Sequence, residues 1–381
     1  MSNQALPRYI RPLFNKLTTH KAPLRLNAAG AHLPGVSLIT SSPTAPAEGK
    51  AWQIEASAAY QLDSWDAQTG EAYSSTGAGE IKALHLTEAT GGDEGYYKGA
   101  PSCGWMWQLH KNDIPDAVRS FMLGAVKKYN PTDLLAGIRW IARPAHRDKI
   151  RLLVSDQYRV HEVVLPAAWA DGFEGGSGWL HPAMTLAFAR KELVSITVHS
   201  ENVAVAALSP KPAHHLEYLV ADNSELLSST VLPLVENVLP DTAAAGIGGE
   251  VNEVLSVLDE LLPRLGRKVT RQELVWFEKT SKAGLALGLG ETNEHLPLMQ
   301  VSGNLRLQTF NSAYLRKALA PFAGARFYLG QGRDSNRPVI LTIQGLPVRA
   351  CIMPIRLGSD QPSKLGPGDA VFDPHGYAPR Y

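Results

Sequence analysis

Downstream of residue 105 the apolar and polar positions follow two alternating periods, one near 3.6 and one near 2, which predict helices and strands in a recurring order. Asn112-Asp-Ile-Pro115 opens a helix running to about residue 128, with Pro115 in the first turn, where its missing N–H costs little. Strands follow at 135–142, 149–155 and 160–165. A second helix at 182–192 leads into strands at 194–198, 203–208 and 216–220. The theme then repeats. Val251-Asn-Glu-Val-Leu-Ser-Val-Leu-Asp-Glu-Leu-Leu262 carries apolar residues at helical spacing, and strands are expected at 273–278, 284–289 and 304–309. A helix at 312–323 and strands at 325–330, 338–343 and 348–355 complete the unit. Upstream, 5–21 reads as an amphipathic helix despite Pro7 and Pro12. Strand-like pieces follow at 35–40, 52–62, 80–87 and 95–98. Ser41-Ser-Pro-Thr-Ala-Pro46 and Gly91-Gly-Asp-Glu-Gly95 read as loops.

The 381 residues suit two or three domains, and the 44% hydrophobic and 19% charged fractions are those of an ordinary globular protein. No apolar run approaches the ~18 residues of a membrane span, and the first nineteen residues lack a secretory apolar core, so the cytoplasm is the expected compartment. Cys103 and Cys351 stand far apart and without metal-ligand spacing. Neither a disulfide framework nor a zinc site is expected, and both read as buried apolar residues.

The chain carries 37 Lys or Arg against 36 Asp or Glu, a balance that by itself argues against a DNA-binding protein. Its distribution changes that picture: the five candidate helical segments (5–21, 112–129, 182–192, 250–268 and 312–326) hold 15 of the basic and 7 of the acidic residues. Lys and Arg are common on any solvated helix face and near helix C-termini, but the lopsided total favours a shared basic surface.

Several short motifs occur in an order that carries more weight than any one of them. They are Leu135-Ala-Gly-Ile-Arg-Trp140, Leu153-Val-Ser-Asp-Gln-Tyr-Arg-Val160, Leu232-Pro-Leu-Val-Glu-Asn-Val-Leu-Pro240, Phe310-Asn-Ser-Ala-Tyr-Leu-Arg-Lys-Ala-Leu319 and Arg349-Ala-Cys-Ile-Met-Pro-Ile-Arg-Leu357. In this order they resemble the bacterial DNA polymerase III β sliding clamp, the ring that tethers replicative polymerases to DNA. The resemblance covers roughly 105–357; the first hundred residues match poorly and the last 24 lie beyond the usual end. A divergent member is implied, such as a virus or mobile element carries.

The resemblance implies an α+β clamp fold of repeated βα domains, with helices lining a ring channel and sheets outside. It implies domains at 1–102, 103–238 and 239–357, a tail at 358–381, and a homodimeric or trimeric ring. The function implied is that of a processivity factor without catalytic residues or cofactor. Double-stranded DNA, replicative polymerase, clamp loader and other proteins carrying the clamp-binding motif are its partners. The family's peptide pocket transfers to Leu135, Ser155, Tyr158, Arg159, Val160, Pro233, Val238, Ile352, Met353, Pro354, Ile355, Arg356 and Leu357. Residues placed to face DNA are Arg8, Arg11, Lys16, Arg119, Lys127, Lys128, Arg190, Lys191, Arg264, Arg267, Lys268, Arg316 and Lys317. The chain departs from the family at Gln157, where Gly is usual, at Tyr158 for His, and at Asn237 for a basic residue.

Other chemistry is thin. Gly284-Leu-Ala-Leu-Gly-Leu-Gly290 alternates like a strand, and Gly246-Ile-Gly-Gly249 lacks the Lys-Ser/Thr end of a phosphate loop. His214-His215 has no Cys or carboxylate at ligand spacing. Two rivals to the clamp reading are a clamp-fold decoy that binds partners without encircling DNA, and an enzyme with its site in 1–102.

Overall fold

The computed structural model describes residues 3–5, 23–27, 29–39, 51–59, 61–75, 81–89, 104–127, 129–130, 133–156, 158–209, 216–224, 245–264, 274–279, 285–289, 292–296, 300–302, 309–331 and 338–353. The chain divides into two compact units. One comprises Met1–Ile114, Val126–Leu152 and Leu165–Leu232; the other comprises Pro115–Ala125, Leu153–Val164 and Pro233–Tyr381.

The first unit is built on a ten-stranded antiparallel sheet. Its order is Ala168–Trp169, Trp107–His110, Leu193–Val198, Val203–Leu208, Glu217–Asp222, Val36–Ile39, Gly30–Leu33, Leu24–Leu26, Trp52–Ile54 and Thr87–Glu88. The join between its halves runs from Tyr218↔Ile39 to Ala221↔Val36, so stretches far apart in sequence share one ladder. Asn3–Ala5, Ser64–Asp66, Ala72–Ser75 and Ile81–Leu84 form a smaller sheet. Alternation along Ile138–Ala142 places Ile138, Trp140 and Ala142 in the core, as a half-buried strand requires. The Trp140 ring meets Trp107 edge-on, with centroids 5.7 Å apart. The helix Pro182–Phe188 is buried along its whole length, and its N-terminus is closed by His181, which accepts a hydrogen bond from the Ala183 N–H at 3.0 Å.

In the second unit the strands Arg159–Pro166, Val348–Ile352, Val339–Ile343, Arg326–Gln331, Ala245–Glu250 and Gln300–Ser302 lie side by side in that order, antiparallel throughout. A second sheet runs Thr292–Leu296, Leu285–Leu289, Leu274–Lys279, Thr309–Asn311. Three helices bury one stripe each: Val118, Phe121 and Met122 on Asp116–Gly124, Val251, Val254 and Leu258 on Val251–Arg264, and Leu315, Ala318 and Leu319 on Ser312–Leu319. These spacings of three and four are the amphipathic signature seen in the sequence.

The elements differ from expectation mainly at their ends. The helix expected at 112–128 spans Asp116–Gly124, with Pro115 as an extended N-cap and a 3-10 turn at Lys111–Asp113 before it. The helix expected to 192 stops at Phe188. Leu134–Ala136 forms a 3-10 turn whose cap, Asp133, accepts from the Leu135 N–H at 3.0 Å, so the strand begins only at Ile138. Within 52–62 the strand ends at Ile54 and Ala56–Ala59 turns into a short helix, as an Ala-rich run favours. Both glycine-rich runs named above contain strands, Leu285–Leu289 and Ala245–Glu250. Of the expected helix at 5–21, only Ala5 lies among the described residues, where it ends the strand Asn3–Ala5. The piece at 95–98, the loops at 41–46 and 91–95, and Cys103, His214 and His215 fall outside the described residues. Cys351 is buried, and burial pushes its thiol up to about 12.

Candidate functional site

Within the second unit Asp156 holds the start of the strand Arg159–Pro166. Its Oδ1 accepts from the backbone N–H of Tyr158 and of Arg159, each at 3.2 Å, and its Oδ2 holds Arg159 Nε at 2.9 Å. This is the turn chemistry for which Asp is selected. The Asp156 N–H donates to the Arg159 carbonyl at 3.3 Å, and Ser155 Oγ donates to the same oxygen at 3.0 Å.

The next strand in the sheet brings the C-terminal motif alongside. Arg159 pairs with Ile352 and Val160 with Cys351, and the Met353 N–H donates to the Tyr158 carbonyl at 2.9 Å. Val160 and Ile352 are core residues, whereas Met353 is half-buried and Tyr158 is 56% exposed. The helix Ser312–Leu319 adds Tyr314. Asn311 caps that helix by accepting from the Ala313 N–H at 2.9 Å. Tyr314 stands near Tyr158 with centroids 6.3 Å apart and planes 25° from parallel, and the Arg159 guanidinium lies 4.4 Å from its ring centroid. A cation over a ring at that distance is attracted by its quadrupole. Burial, then the Asp156 carboxylate, raises the Tyr314 hydroxyl above its ordinary value, with Arg159 opposing.

One residue further along, His161 is fully buried. Its Nδ1 lies 2.6 Å from the Phe121 carbonyl and its ring stacks on Phe121 with centroids 4.2 Å apart. A carbonyl only accepts, so the proton sits on Nδ1. Burial pushes His161 down to about 3, against the pull of the Phe121 carbonyl and with help from Arg159. Glu162 and Arg349, opposite one another in the ladder, form an ion pair at 3.0 Å.

The second unit thus brings together six expected pocket residues: Ser155, Tyr158, Arg159, Val160, Ile352 and Met353. Leu135 is half-buried in the first unit. Pro233, Val238, Pro354, Ile355, Arg356 and Leu357 lie outside the described residues. Sequence reasoning missed Asp156 and Tyr314 as members of this cluster. Both sit inside motifs quoted above, and the Asx-turn preference of Asp followed by a strand was an available signal for the first.

The residues expected to face DNA divide differently. Arg119 pairs with Asp116 at 2.5 Å, Lys127 with Asp133 at 2.6 Å, Arg190 with Glu192 at 3.3 Å and Arg316 with Asp259 at 2.8 Å. Lys191 and Lys317 are exposed. Arg264 ends its helix, while Arg8, Arg11, Lys16, Lys128, Arg267 and Lys268 lie outside the described residues.

The cluster presents an exposed ring, a half-buried thioether and a guanidinium held over a second ring. They sit on an α+β scaffold of the DNA-clamp class. No protein-family model and no curated protein matches the sequence, but solved structures do match the fold. The DNA polymerase III β subunit of Thermotoga maritima aligns with a TM-score of 0.60 and 14% identity over 93% of this chain and 99% of that one. The DNA polymerase sliding clamp of Bacillus subtilis gives 0.60 and 12% over 93% and 94%. The sliding clamp of Bartonella birtlesii, solved bound to griselimycin, gives 0.58 and 14% over the same shares. The chain has the fold of the bacterial β sliding clamps.

Among the described residues no helix is long and apolar enough to cross a membrane.

Proposed function

We propose that this protein is a DNA sliding clamp, a processivity factor that encircles duplex DNA and tethers a replicative polymerase through the Tyr158–Tyr314–Met353 site. The observation that carries this reading is the clamp fold across 93% of the chain, shared with sliding clamps of several bacteria. The divisions 1–102, 103–238 and 239–357 are its proposed clamp domains, followed by a tail at 358–381. It acts without catalytic chemistry in the cytoplasm, as a homodimeric or trimeric ring, and takes partners from polymerase, clamp loader and repair proteins. Flexible Lys and Arg side chains that reach phosphates without reading bases give a hold loose enough for sliding, and closure of the ring supplies persistence.

Retention on DNA tests it. Loaded protein should stay on nicked circular DNA and run off a linear duplex, while direct binding to short duplexes is weak and falls with salt. Equal retention on the two templates overturns the reading.

One observation favours a second reading, a clamp-fold protein that binds partners without surrounding DNA. Arg119, Lys127, Arg190 and Arg316 each already hold a carboxylate, which cancels local positive charge. Surface pairs of this kind contribute only about 0–1 kcal/mol, so phosphate can displace them cheaply. The circular-versus-linear comparison decides between the two.

A further inference from the structure

Arg159 is the least satisfied charged group in the partner site. It is 3% exposed. Its Nε is taken by Asp156 at 2.9 Å and its guanidinium lies over the Tyr314 ring, yet its Nη1 is buried and has no hydrogen-bond partner. Leaving a buried donor unmade is costly, and a protein retains such a group where something arrives to satisfy it. The only strongly exposed ring in the cluster, Tyr158, is the adjacent residue.

Resting on the peptide-site reading above, we propose that Arg159 Nη1 is the polar anchor of that site, and that it takes a neutral main-chain carbonyl of the bound peptide rather than a carboxylate. The charge count selects the acceptor. Asp156 already neutralises Arg159, so a second carboxylate would enter a nearly dry site with no net positive charge to meet it, which is unfavourable. A carbonyl supplies the missing acceptor at no charge cost. The exposed Tyr158 ring beside Tyr314 offers the peptide an apolar face, and the guanidinium fixes the register of the peptide backbone.

The test uses the full chain and a fluorescein-labelled peptide bearing Leu and Phe, together with its single amide-to-ester analogues. An ester carbonyl is a weaker acceptor of the same shape. In the wild type one analogue should bind about five- to tenfold more weakly than the parent through loss of this contact. In Arg159→Lys, which keeps the charge beside Asp156 but not the planar fork, that same analogue and the parent should bind alike. Should the variant not fold, the Arg159 guanidinium NMR signals of the wild type serve instead: they should shift and exchange more slowly with solvent at saturating peptide. Ester losses that are the same in both proteins, or guanidinium signals unmoved by bound peptide, overturn this inference alone. Absence of any binding by the parent peptide overturns it together with the peptide-site reading.

Discussion

His161 shows how one buried side chain ties the candidate site to the stability of the second unit. Its ring lies on Phe121, and Phe121 in turn contacts Phe322 with centroids 5.3 Å apart, so helix and sheet meet through it. Burial holds it neutral down to about pH 3, against 6.5 for an ordinary histidine. The sign follows from proton uptake. Below 6.5 the unfolded chain binds a proton that the folded chain refuses, so the contribution is complete above that pH and is lost progressively as pH falls toward about 3. The rate of loss is about 1.4 kcal/mol per pH unit. His161→Gln keeps a donor for the Phe121 carbonyl but does not titrate. Urea unfolding at pH 7 and pH 5 should show a fall in stability about 2 kcal/mol smaller in this variant than in the wild type. Equal falls would mean that His161 is not held neutral by the fold.

At the scale of elements, two glycines show opposite demands. A Cβ on Gly30 would lie 2.0 Å from the Leu38 carbonyl oxygen across the hairpin Gly30–Leu33 and Val36–Ile39, and backbone cannot yield there. A Cβ on Gly124 would sit 3.4 Å from the Lys317 carbonyl oxygen and 3.6 Å from His161 Cε1, which is ordinary contact. Gly30→Ala should therefore lower stability by about 1–3 kcal/mol. Gly124→Ala at the end of Asp116–Gly124 should raise it by about 0.4–1 kcal/mol through the unfolded chain. Thermal melts of the two variants should move in opposite directions. The helices were legible because their buried residues recur at three and four, as at Val118, Phe121 and Met122. Their ends were not, because Pro115 and Asp133 act through cap and turn geometry that no periodicity reports. The residues that the sheet brings together lie in contiguous motifs, at Ser155 to Val160 and at Ile352 and Met353. Tyr314 was overlooked because its place beside Tyr158 depends on how a helix from another part of the chain packs, and the carboxylates that hold Arg119, Lys127, Arg190 and Arg316 cannot be read from charge counts.

For the whole molecule, the proposed ring makes assembly measurable. Light scattering at micromolar concentration should return a dimer, or a trimer if residues 1–102 do not form a clamp domain, since head-to-tail contacts are stable when they close. A monomer would count against the ring and for the non-encircling reading. The path of the chain has its own outcome, whatever the assembly. It passes between the two compact units after Ile114, Ala125, Leu152, Val164 and Leu232, and one edge of the strand beginning at Arg159 is paired by Val348–Ile352, far later in the sequence. Glu162 and Arg349 are separated by 187 positions. At translation rates of about 5–20 residues per second, that separation is roughly 10 to 40 seconds of synthesis. Through that interval the ribosome holds a nascent chain whose Arg159–Pro166 edge has yet to receive this partner, and unpaired edges invite foreign strands. The hairpin of Val339–Ile343 and Val348–Ile352 is therefore the one that removes this hazard as it leaves the exit tunnel, and slow synthesis of the stretch from Pro166 to Val348 lengthens the exposure to misassembly.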